Sequence, residues 1–474
     1  MNKRIIVLFW LNTILLVCFL TLPRLIRHGC FMDGELYASI ANNLANGIGS
    51  FWYPSFNQYV HPFFDQQPPL TFFIQSLFFK TLGSSMYVER LYDFIFCLLH
   101  VWLIHLIWRE VFRNSEVQKI SWLPVVLWIT IPVCSWDFVN NMEEITMGVF
   151  VQLAILFGVK IVFNEKVKFY HPLLMGASLM AAWMCKGFPG LFPLTLLFWA
   201  LLFIKSFKMQ KAVLQYIMLA LPIFLFIAVL YFNKESHDSI SQYLNNRVLN
   251  SIKNVVETEN RFYIVGRLIS ELLIGIAICT ILLLIAKAKK IHNPVNYKLS
   301  LLFIVVGLCG VLPIMITLEQ RGFYMTTAFP SFAIGLSILI ANPVLNWIRM
   351  AEEKTLTLMK GVVVIGFIAL SATIFFSYNK FVRDEPSLSD IYKIGKIVPA
   401  KSSLGASSDL FRDWATGCYL QRFYFIQIDA CTADWNHHPF VLLNKTTANQ
   451  YLPSLNEYTK VELNTTEFDL YRHK

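Results

Sequence analysis

Long apolar runs recur along the whole sequence, and they constrain the fold more than any other feature. Hydrophobic residues make up 56% of the 474 residues and charged residues only 15%, against roughly 25% charged residues in soluble domains. Most runs are long enough to cross about 30 Å of hydrocarbon as an α-helix. Because backbone groups in lipid must be hydrogen-bonded within the chain, the runs predict an all-α polytopic membrane protein with about eleven transmembrane helices. The runs lie at roughly 5–22, 89–108, 120–134, 147–163, 171–185, 188–204, 212–232, 263–286, 299–317, 323–341 and 361–377.

The lysines and arginines between the runs predict the orientation of the chain. With the N-terminus inside, the inner loops are rich in cations, whereas the short outer loops carry only Lys186 and Arg321. This asymmetry follows the positive-inside rule, and it explains the formal net charge of +10 without a nucleic-acid partner. The first run is followed by no small-residue cleavage site, so we interpret it as a signal anchor. The basic inner loops lie at about 109–119, 164–170, 205–211, 287–298 and 342–360.

Composition divides the chain into a membrane module and a soluble tail. Residues 1–378 contain the apolar runs, and within them 23–88 is too polar to span and predicts a long first outer loop. Residues 379–474 alternate β-rich runs with a helical pattern, which predicts a small α/β domain. If this domain is extracytoplasmic, Cys418 and Cys431 are candidates for a disulfide.

The first outer loop carries two helix patterns. Asp33 suits the N-cap of the first and Gly47 its end. The second starts at Pro68-Pro69-Leu70, since proline is tolerated in a first helical turn, and Gly83 ends it. An apolar stripe would place the first helix along the membrane surface, and it is formed by Leu36, Ile40 and Leu44.

Four acids fall on the outer side at the starts of predicted helices. A carboxylate at Asp33 or Glu35 could take a proton from an incoming hydroxyl, although helix capping would also explain an aspartate there. Glu143 and Glu144 precede the fourth run, where they could simply be a solvated span boundary. Adjacent residues do not face the same way on a helix, so we expect at most one of these two acids to point into a shared site.

Two isolated cations lie on the side where positive charge is depleted. Lys186 and Arg321 each sit in a very short turn, and such side chains are natural partners of phosphate oxygens. Snorkelling to lipid headgroups is the alternative for each. Gln66 and Gln67 could hydrogen-bond sugar hydroxyls. No spacing of histidines or cysteines predicts a metal site.

In this order, the landmarks resemble the polyprenyl-phosphate-dependent glycosyltransferases of the C-type membrane fold. The nearest branch is the bacterial aminoarabinose lipid A transferases and dolichyl-phosphate-mannose–protein mannosyltransferase-like proteins. The matching motifs are Asp33-Gly-Glu-Leu-Tyr37-Ala, Phe64 to Leu70, Arg90-Leu, Glu144 before a span, Lys186-Gly-Phe-Pro, and Arg321-Gly-Phe-Tyr324 through Pro330. The sequence departs from the family pattern at Gly34, where an acid is frequent, at Leu36, where arginine is common, and at Gln67, where lysine is common.

The resemblance implies an inverting transfer of a sugar from a polyprenyl-phosphate carrier to an acceptor hydroxyl of a lipid, protein or glycan. The reaction would take place at the periplasmic face of a bacterial inner membrane, and a divalent cation could assist it. Asp33 would be the base and Glu144 a second catalytic acid. The donor phosphate would be bound by Lys186, Arg321 and Tyr324, and the substrates also by Glu35, Tyr37, Gln66, Gln67 and Arg90.

Three other functions stay open at this point, and one of them is a catalytically inactive scaffold that acts through its soluble tail. A lipid or oligosaccharide transporter would need ionisable residues near the middle of its spans, where this sequence has almost none. A glycan polymerase or ligase would use pyrophosphate-linked carriers.

Overall fold

The computed structural model describes residues 3–291, 293–351, 353–430, 435 and 437–474. A helical membrane module is followed by a small sheet domain. The helices of the module are α1 (Lys3–Leu25), α2 (Met32–Ala45), α3 (Leu70–Leu82), α4 (Val88–Val111), α5 (Trp122–Ile129), α6 (Pro132–Asp137), α7 (Glu143–Phe163), α8 (Tyr170–Lys186), α9 (Leu196–Phe203), α10 (Met209–Phe232), α11 (Lys234–Gln242), α12 (Asn250–Lys253), α13 (Tyr263–Ala288), α14 (Tyr297–Val311), α15 (Phe329–Arg349) and α16 (Glu353–Ser377).

Eight helices in the described residues are long and apolar enough to cross a membrane. Three of the predicted runs are not among them. One is the 17-residue α8. The run at 120–134 is divided between α5 and α6 because Ile131 is extended before Pro132, as the residue preceding a proline usually is. The run at 188–204 starts as a 3₁₀ segment containing Pro189 and Pro193 before α9 begins.

Burial orders the helices from the centre of the bundle to its edge. The apolar window of α7 is 78% buried, and α7 packs between α4 and α8. The apolar window of Gly322–Arg349, which includes α15, is 83% buried. The apolar window of α16 is only 6% buried, and α16 packs mainly against α1. The exposed flanks of α10, α13 and α16 are apolar, which suits contact with lipid.

The loops separate into two ends of the bundle. The basic connections meet at one end, where Arg349 pairs with Glu116 at 2.5 Å. At the same end, Lys211 donates to the carbonyl of Asn164 at 2.8 Å. The acids in the first turns of α2 and α7 and the isolated cations lie at the opposite end, which we call the outer end.

The first outer loop packs against protein. Ile40 on α2 is fully buried, in a cluster with Phe64 and Phe72 of the loop and α3. Cys418 of the sheet domain belongs to the same cluster. The prediction that the apolar stripe of α2 lies along the membrane surface is therefore wrong, because the stripe faces α3 and the sheet domain.

The sheet domain follows Ser377. Its helices are α17 (Glu385–Ile394), α18 (Ser408–Phe411) and α19 (Trp414–Tyr424). Its strands are β1 (Ser403–Ala406), β2 (Gln427–Ala430), β3 (Phe440–Asn444), β4 (Tyr458–Lys460) and β5 (Phe468–His473). They form one sheet in the order β2-β1-β3-β5-β4, parallel in its first half and antiparallel in its second. The α/β fold predicted for the tail is confirmed; the candidate disulfide involves Cys431, which lies outside the described residues.

Candidate active site

The site begins at the first turn of α2. The backbone of Phe31 is extended and occupies the N-cap position, so α2 starts at Met32. Asp33 is thus inside the first turn and is not the N-cap that the sequence predicts. Its side chain is half-buried. Its carboxylate accepts no hydrogen bond from the described residues. A carboxylate in this position is stabilised by the amide groups at the helix start.

The first turn of α2 rests directly on the loop that precedes α7. A Cβ atom added to Gly34 would lie 1.9 Å from the carbonyl oxygen of Asn140. The side-chain amide of Asn141 donates to the carbonyl of Gly34 at 2.8 Å, and Asn140 accepts from the amide of Phe31 at 3.0 Å. The chain has glycine here instead of an acid because no side chain fits between the two segments.

Glu143 and Glu144 both point at Lys186. The ammonium nitrogen of Lys186 is 2.6 Å from Oε1 of Glu144 and 3.7 Å from Oε2 of Glu143. All three side chains are buried. The expectation that at most one of the two acids reaches a shared site is wrong. Both acids occupy the first positions of α7, and the long side chain of Lys186 reaches the pair from the end of α8.

A glycine turn fixes the position of Lys186. Gly187 ends α8 with a φ of 80°, a left-handed conformation that favours glycine. A Cβ atom there would lie 2.1 Å from the hydroxyl of Tyr243. The ammonium group also lies over the rings of Phe323 and Tyr324, 5.7 and 5.1 Å from their centroids. Lys186 is therefore enclosed by carboxylates and aromatic rings at the outer end.

A second charged cluster stands beside Tyr324. The Tyr324 hydroxyl donates to Glu319 at 3.0 Å. The same carboxylate accepts from Arg247 at 2.9 Å and from Ser251 at 2.8 Å. Burial raises the pKa of Glu319, but the hydrogen bond and charge of Arg247 outweigh it and leave that pKa lowered.

Arg247 is not among the site residues that the sequence predicts. It lies on a π-helical segment, Tyr243–Leu249, in the long outer connection between α10 and α13. The cations of this connection could have identified it, because they lie on the side where the positive-inside rule depletes positive charge. The prediction from isolated cations covers only the short outer loops.

The charges at the outer end act together on Asp33. Burial raises the pKa of Asp33, while the charges of Lys186, Arg321 and Arg247 lower it and that of Glu257 raises it. Arg321 is 52% exposed and pairs with Glu257 at 2.6 Å. The structure thus brings the predicted residues Asp33, Glu144, Lys186, Arg321 and Tyr324 to one place.

Other predicted site residues lie on two sides of α2. Tyr37 follows Asp33 by one helical turn, and burial together with the charges of Glu143 and Asp33 raises its pKa. Glu35 lies on the opposite face, buried 3.8 Å from Arg90. Burial, followed by the charge of Glu89, raises the pKa of Glu35 to about 7.

Arg90 is used within the fold. Its guanidinium donates to the carbonyls of Val139 at 2.9 Å and Gly29 at 2.8 Å. These bonds connect α4 to the segments that precede α2 and α7. Arg90 and Glu35 therefore stabilise the starts of α2 and α7 from the side opposite Asp33.

Gln66 and Gln67 are half-buried at the approach to α3. Gln66 donates to the carboxylate of Asp65 at 2.7 Å, and Asp65 accepts from Asn246 at 2.6 Å. This contact connects the first outer loop to the segment that carries Arg247. Within the described part of the chain, no group of three or more His, Cys, Asp or Glu side chains is arranged to hold a metal.

Comparison with known proteins supports a glycosyltransferase relationship. Residues 66–232 match the sequence model of the family described as dolichyl-phosphate-mannose-protein mannosyltransferase. The matched stretch includes Glu144 and Lys186. No curated protein sequence matches the chain.

Solved structures give the same result at the level of the fold. ArnT from Cupriavidus metallidurans, bound to undecaprenyl phosphate, superposes with a TM-score of 0.70 at 12% identity, covering 98% of this chain and 97% of that chain. The chain has the fold of a C-type glycosyltransferase. The apo oligosaccharyltransferase of Archaeoglobus fulgidus is also similar, with a TM-score of 0.57 at 11% identity over 97% of this chain and 74% of that one. The family resemblance and the fold class predicted from the sequence are confirmed.

Proposed function

We propose that this protein is a glycosyltransferase that moves a sugar from a polyprenyl-phosphate carrier to an acceptor hydroxyl. The observation that carries the proposal is that Asp33, in the first turn of α2, and the buried cluster of Lys186 with Glu143 and Glu144 lie at the same end of the bundle. The charges of Lys186, Arg321 and Arg247 each lower the pKa of Asp33. An acid near several cations at a membrane–water boundary suits a reaction that removes a proton and releases a phosphate. The fold shared with ArnT, whose structure holds undecaprenyl phosphate, supports this class of donor.

Asp33 is the proposed base. It takes the proton of the acceptor hydroxyl while the acceptor oxygen forms a bond to the anomeric carbon. The bond between that carbon and the phosphate oxygen breaks in the same displacement, and its electron pair leaves with the polyprenyl phosphate. Because the acceptor attacks from the face opposite the phosphate, the anomeric configuration is inverted. A base whose pKa is raised by burial holds the transferred proton better than an exposed aspartate does.

The cations stabilise the departing phosphate. Arg321 is the most exposed of the three and can donate hydrogen bonds to two phosphate oxygens in a bidentate arrangement. Arg247 and the hydroxyl of Tyr324 both donate hydrogen bonds to Glu319, which precedes Arg321 by two residues. Lys186 contributes its charge from within the two-acid cluster. Positioned charges of this kind are often the largest part of catalysis, and loss of one costs on the order of 100-fold or more in rate.

Glu144 is proposed to contribute to catalysis by holding Lys186, which donates to its carboxylate. Tyr37 is on the face of α2 that carries Asp33, so it and the glutamines of the first loop are proposed to contact the sugar. Glu35 and Arg90 are proposed to position α2.

The outer end is proposed to face the periplasm of a bacterial cell. The basic loops at the other end would then lie in the cytoplasm, as the positive-inside rule requires. The proposed units are a membrane module over residues 1–378, in which 23–88 is the first periplasmic loop, and a periplasmic domain over residues 379–474.

The test uses purified protein in nanodiscs with a panel of short-chain prenyl-phospho-sugars, and it measures release of free prenyl phosphate. We expect one donor to be turned over by the natural protein. Asp33→Asn keeps the shape of the side chain and removes the base, so turnover should fall by at least 100-fold with donor binding unchanged.

Asp238→Asn is the matched control, because Asp238 is a 43% exposed acid on the same side of the membrane. It should leave turnover unchanged. Near-normal turnover by Asp33→Asn would remove Asp33 as the base, and failure of the natural protein to release prenyl phosphate from every donor would overturn the proposed function.

A further inference from the structure

A pocket of about 400 Å³ opens at the basic end of the bundle, away from Asp33 and Lys186. Its walls are the last two turns of α4 and of α7 and the turn that follows α4, over residues 113–118. The volume falls within the roughly 300–1,000 Å³ of small-molecule sites. We call it the basic pocket, after its wall residues Arg109, Arg113 and Lys160.

Positive charge exceeds negative charge in the wall of the basic pocket. The three cations share the wall with a single acid, Glu110. Nη1 of Arg113 lies 3.5 Å from the carboxylate of Glu110, and the same nitrogen donates to the side chain of Asn164. Arg113 and Glu110 therefore balance each other, and the surplus charge comes from Arg109 and Lys160.

These two surplus cations have no partner of opposite charge. Within the part of the chain that the structure describes, neither Arg109 nor Lys160 makes a hydrogen bond or an ion pair. The ammonium group of Lys160 lies over the ring of Phe157, 5.5 Å from its centroid. By contrast, Arg349 at the same end is matched by Glu116. Two unmatched cations in one concave site favour an anionic ligand, and both side chains are common ligands of phosphate oxygens.

Two side-chain amides complete the polar wall. Asn114 and Gln118 line the basic pocket, and neither amide is hydrogen-bonded to another of the described residues. Each amide has two N–H donors and one carbonyl acceptor. The wall can therefore bind phosphate oxygens and also the hydroxyl groups of a headgroup.

An apolar surface on α4 leads from the membrane to the basic pocket. Leu98 and Trp102 are 36% and 55% exposed, and Leu106 in the pocket wall follows one turn later. Residues spaced by four lie on one face of a helix. At 1.5 Å per residue, Trp102 lies about 6 Å closer to the middle of the membrane than Leu106. An acyl chain along this face would bring its headgroup to Arg109, whereas a soluble phosphate compound would gain nothing from it.

We propose that the basic pocket binds the headgroup phosphate of an anionic phospholipid, from the leaflet at the basic end of the bundle. Basic pockets between membrane helices on the cytoplasmic side are typical sites for such headgroups. A zwitterionic lipid fits less well, because its own cation would approach Arg109 and Lys160. The inference is independent of the proposed reaction, which takes place at the other end.

The charges can be removed without breaking a contact. Arg109→Gln combined with Lys160→Gln removes both surplus cations and breaks no hydrogen bond or ion pair with the described residues. Lys166→Gln combined with Lys205→Gln is the matched control. It removes the same charge from two exposed lysines of the basic loops, and neither of them lines the basic pocket.

The measurement is native mass spectrometry of protein stripped of lipid in a neutral detergent and titrated with dioleoyl phosphatidylglycerol. We expect the first lipid to bind the natural protein and the control variant alike. It should bind the Arg109/Lys160 variant at least tenfold more weakly, because two cations no longer contact the phosphate. The single variant Arg109→Gln, at an exposed position, should show a smaller loss in the same direction.

Four outcomes would each overturn the proposal. These are equal binding of phosphatidylglycerol by the natural protein and the Arg109/Lys160 variant, unchanged binding by Arg109→Gln, an equal loss in the control variant, and binding of dioleoyl phosphatidylcholine as tight as that of phosphatidylglycerol.

Glycerol phosphate separates a lipid from a soluble source of the phosphate, because it has the same group without acyl chains. A tenfold excess of glycerol phosphate over phosphatidylglycerol should not displace the lipid. Displacement would make the basic pocket a site for a soluble phosphate compound and overturn the lipid assignment.

Discussion

At the scale of residues, the group around Lys186 is the most constrained part of the outer end. One ammonium group faces two buried carboxylates, Glu143 and Glu144. The sequence singled out Lys186 because its charge runs against the distribution of cations. It could not show that both acids reach the same lysine, because that depends on how α7 and α8 meet.

Removal of Lys186 should destabilise the protein strongly. Lys186→Met leaves two carboxylates buried without their partner, and loss of one member of a buried pair costs about 3–5 kcal/mol. We expect a lower thermal unfolding midpoint in nanodiscs. Adding Glu143→Gln and Glu144→Gln to Lys186→Met should recover most of the loss.

Lys208→Met serves as the control, because Lys208 is exposed at the basic end. Its unfolding midpoint should equal that of the natural protein. If Lys186→Met were equally stable, or if the triple variant gained nothing over it, the acids would not depend on Lys186.

At the scale of elements, α2 is held between the membrane module and α19 of the sheet domain. Arg422 on α19 is fully buried and pairs with Glu89 at 2.5 Å. It also donates to the carbonyls of Ser84 and Ser85, 3.0 and 2.9 Å away. On the face of α2 that carries Glu35, Ser39 and Asn42 donate to the carbonyls of Cys418 and Arg422 at 3.2 and 3.3 Å, so the sheet domain covers this face.

Loss of this contact should loosen α2. Arg422→Met leaves Glu89 buried and unpaired and two carbonyls without a donor. We expect faster hydrogen–deuterium exchange over residues 32–45, and partial recovery on adding Glu89→Gln. Arg472→Met, a change at an exposed arginine of β5, should not alter exchange there. Unchanged exchange in Arg422→Met would show that the sheet domain does not hold α2.

The elements themselves were largely predictable. Eight apolar runs became long helices, because a span of apolar residues has no other way to satisfy its backbone in lipid. The start of α3 beside Pro69 and its end at Gly83 followed from local chemistry. The N-cap of α2 did not, because the helix begins at Met32 and places Asp33 inside its first turn. The surface against which the apolar stripe of α2 packs was not predictable, because a face that meets lipid and a face that meets protein have the same apolar pattern. The place of Arg247 depends on a long connection without a strong pattern.

At the scale of the whole molecule, the two ends differ in charge and in the chemistry they can support. The acids and isolated cations meet at the outer end, and the basic loops lie at the other. The distribution of lysines and arginines predicts that the basic loops and the isolated cations lie on opposite sides. In the packed bundle they lie at opposite ends.

Labelling with a membrane-impermeant maleimide tests this separation in the cell. Arg321→Cys and Lys208→Cys introduce thiols at exposed positions on opposite ends. We expect Arg321→Cys to react in intact spheroplasts and Lys208→Cys only after the membrane is permeabilised. The natural protein is the control for background reaction. Labelling of both variants in intact spheroplasts, or the reverse pattern, would contradict the proposed orientation.

The packing of α2 has a consequence for biosynthesis. Ser39 on α2 donates to the carbonyl of Cys418, a partner 379 positions further along the chain. During translation, this short helix is made long before α19, the helix that covers it. Until α19 has been made and docked, the buried face of α2 stays open to water, so nascent chains that stop short of α19 should be substrates for quality-control proteases.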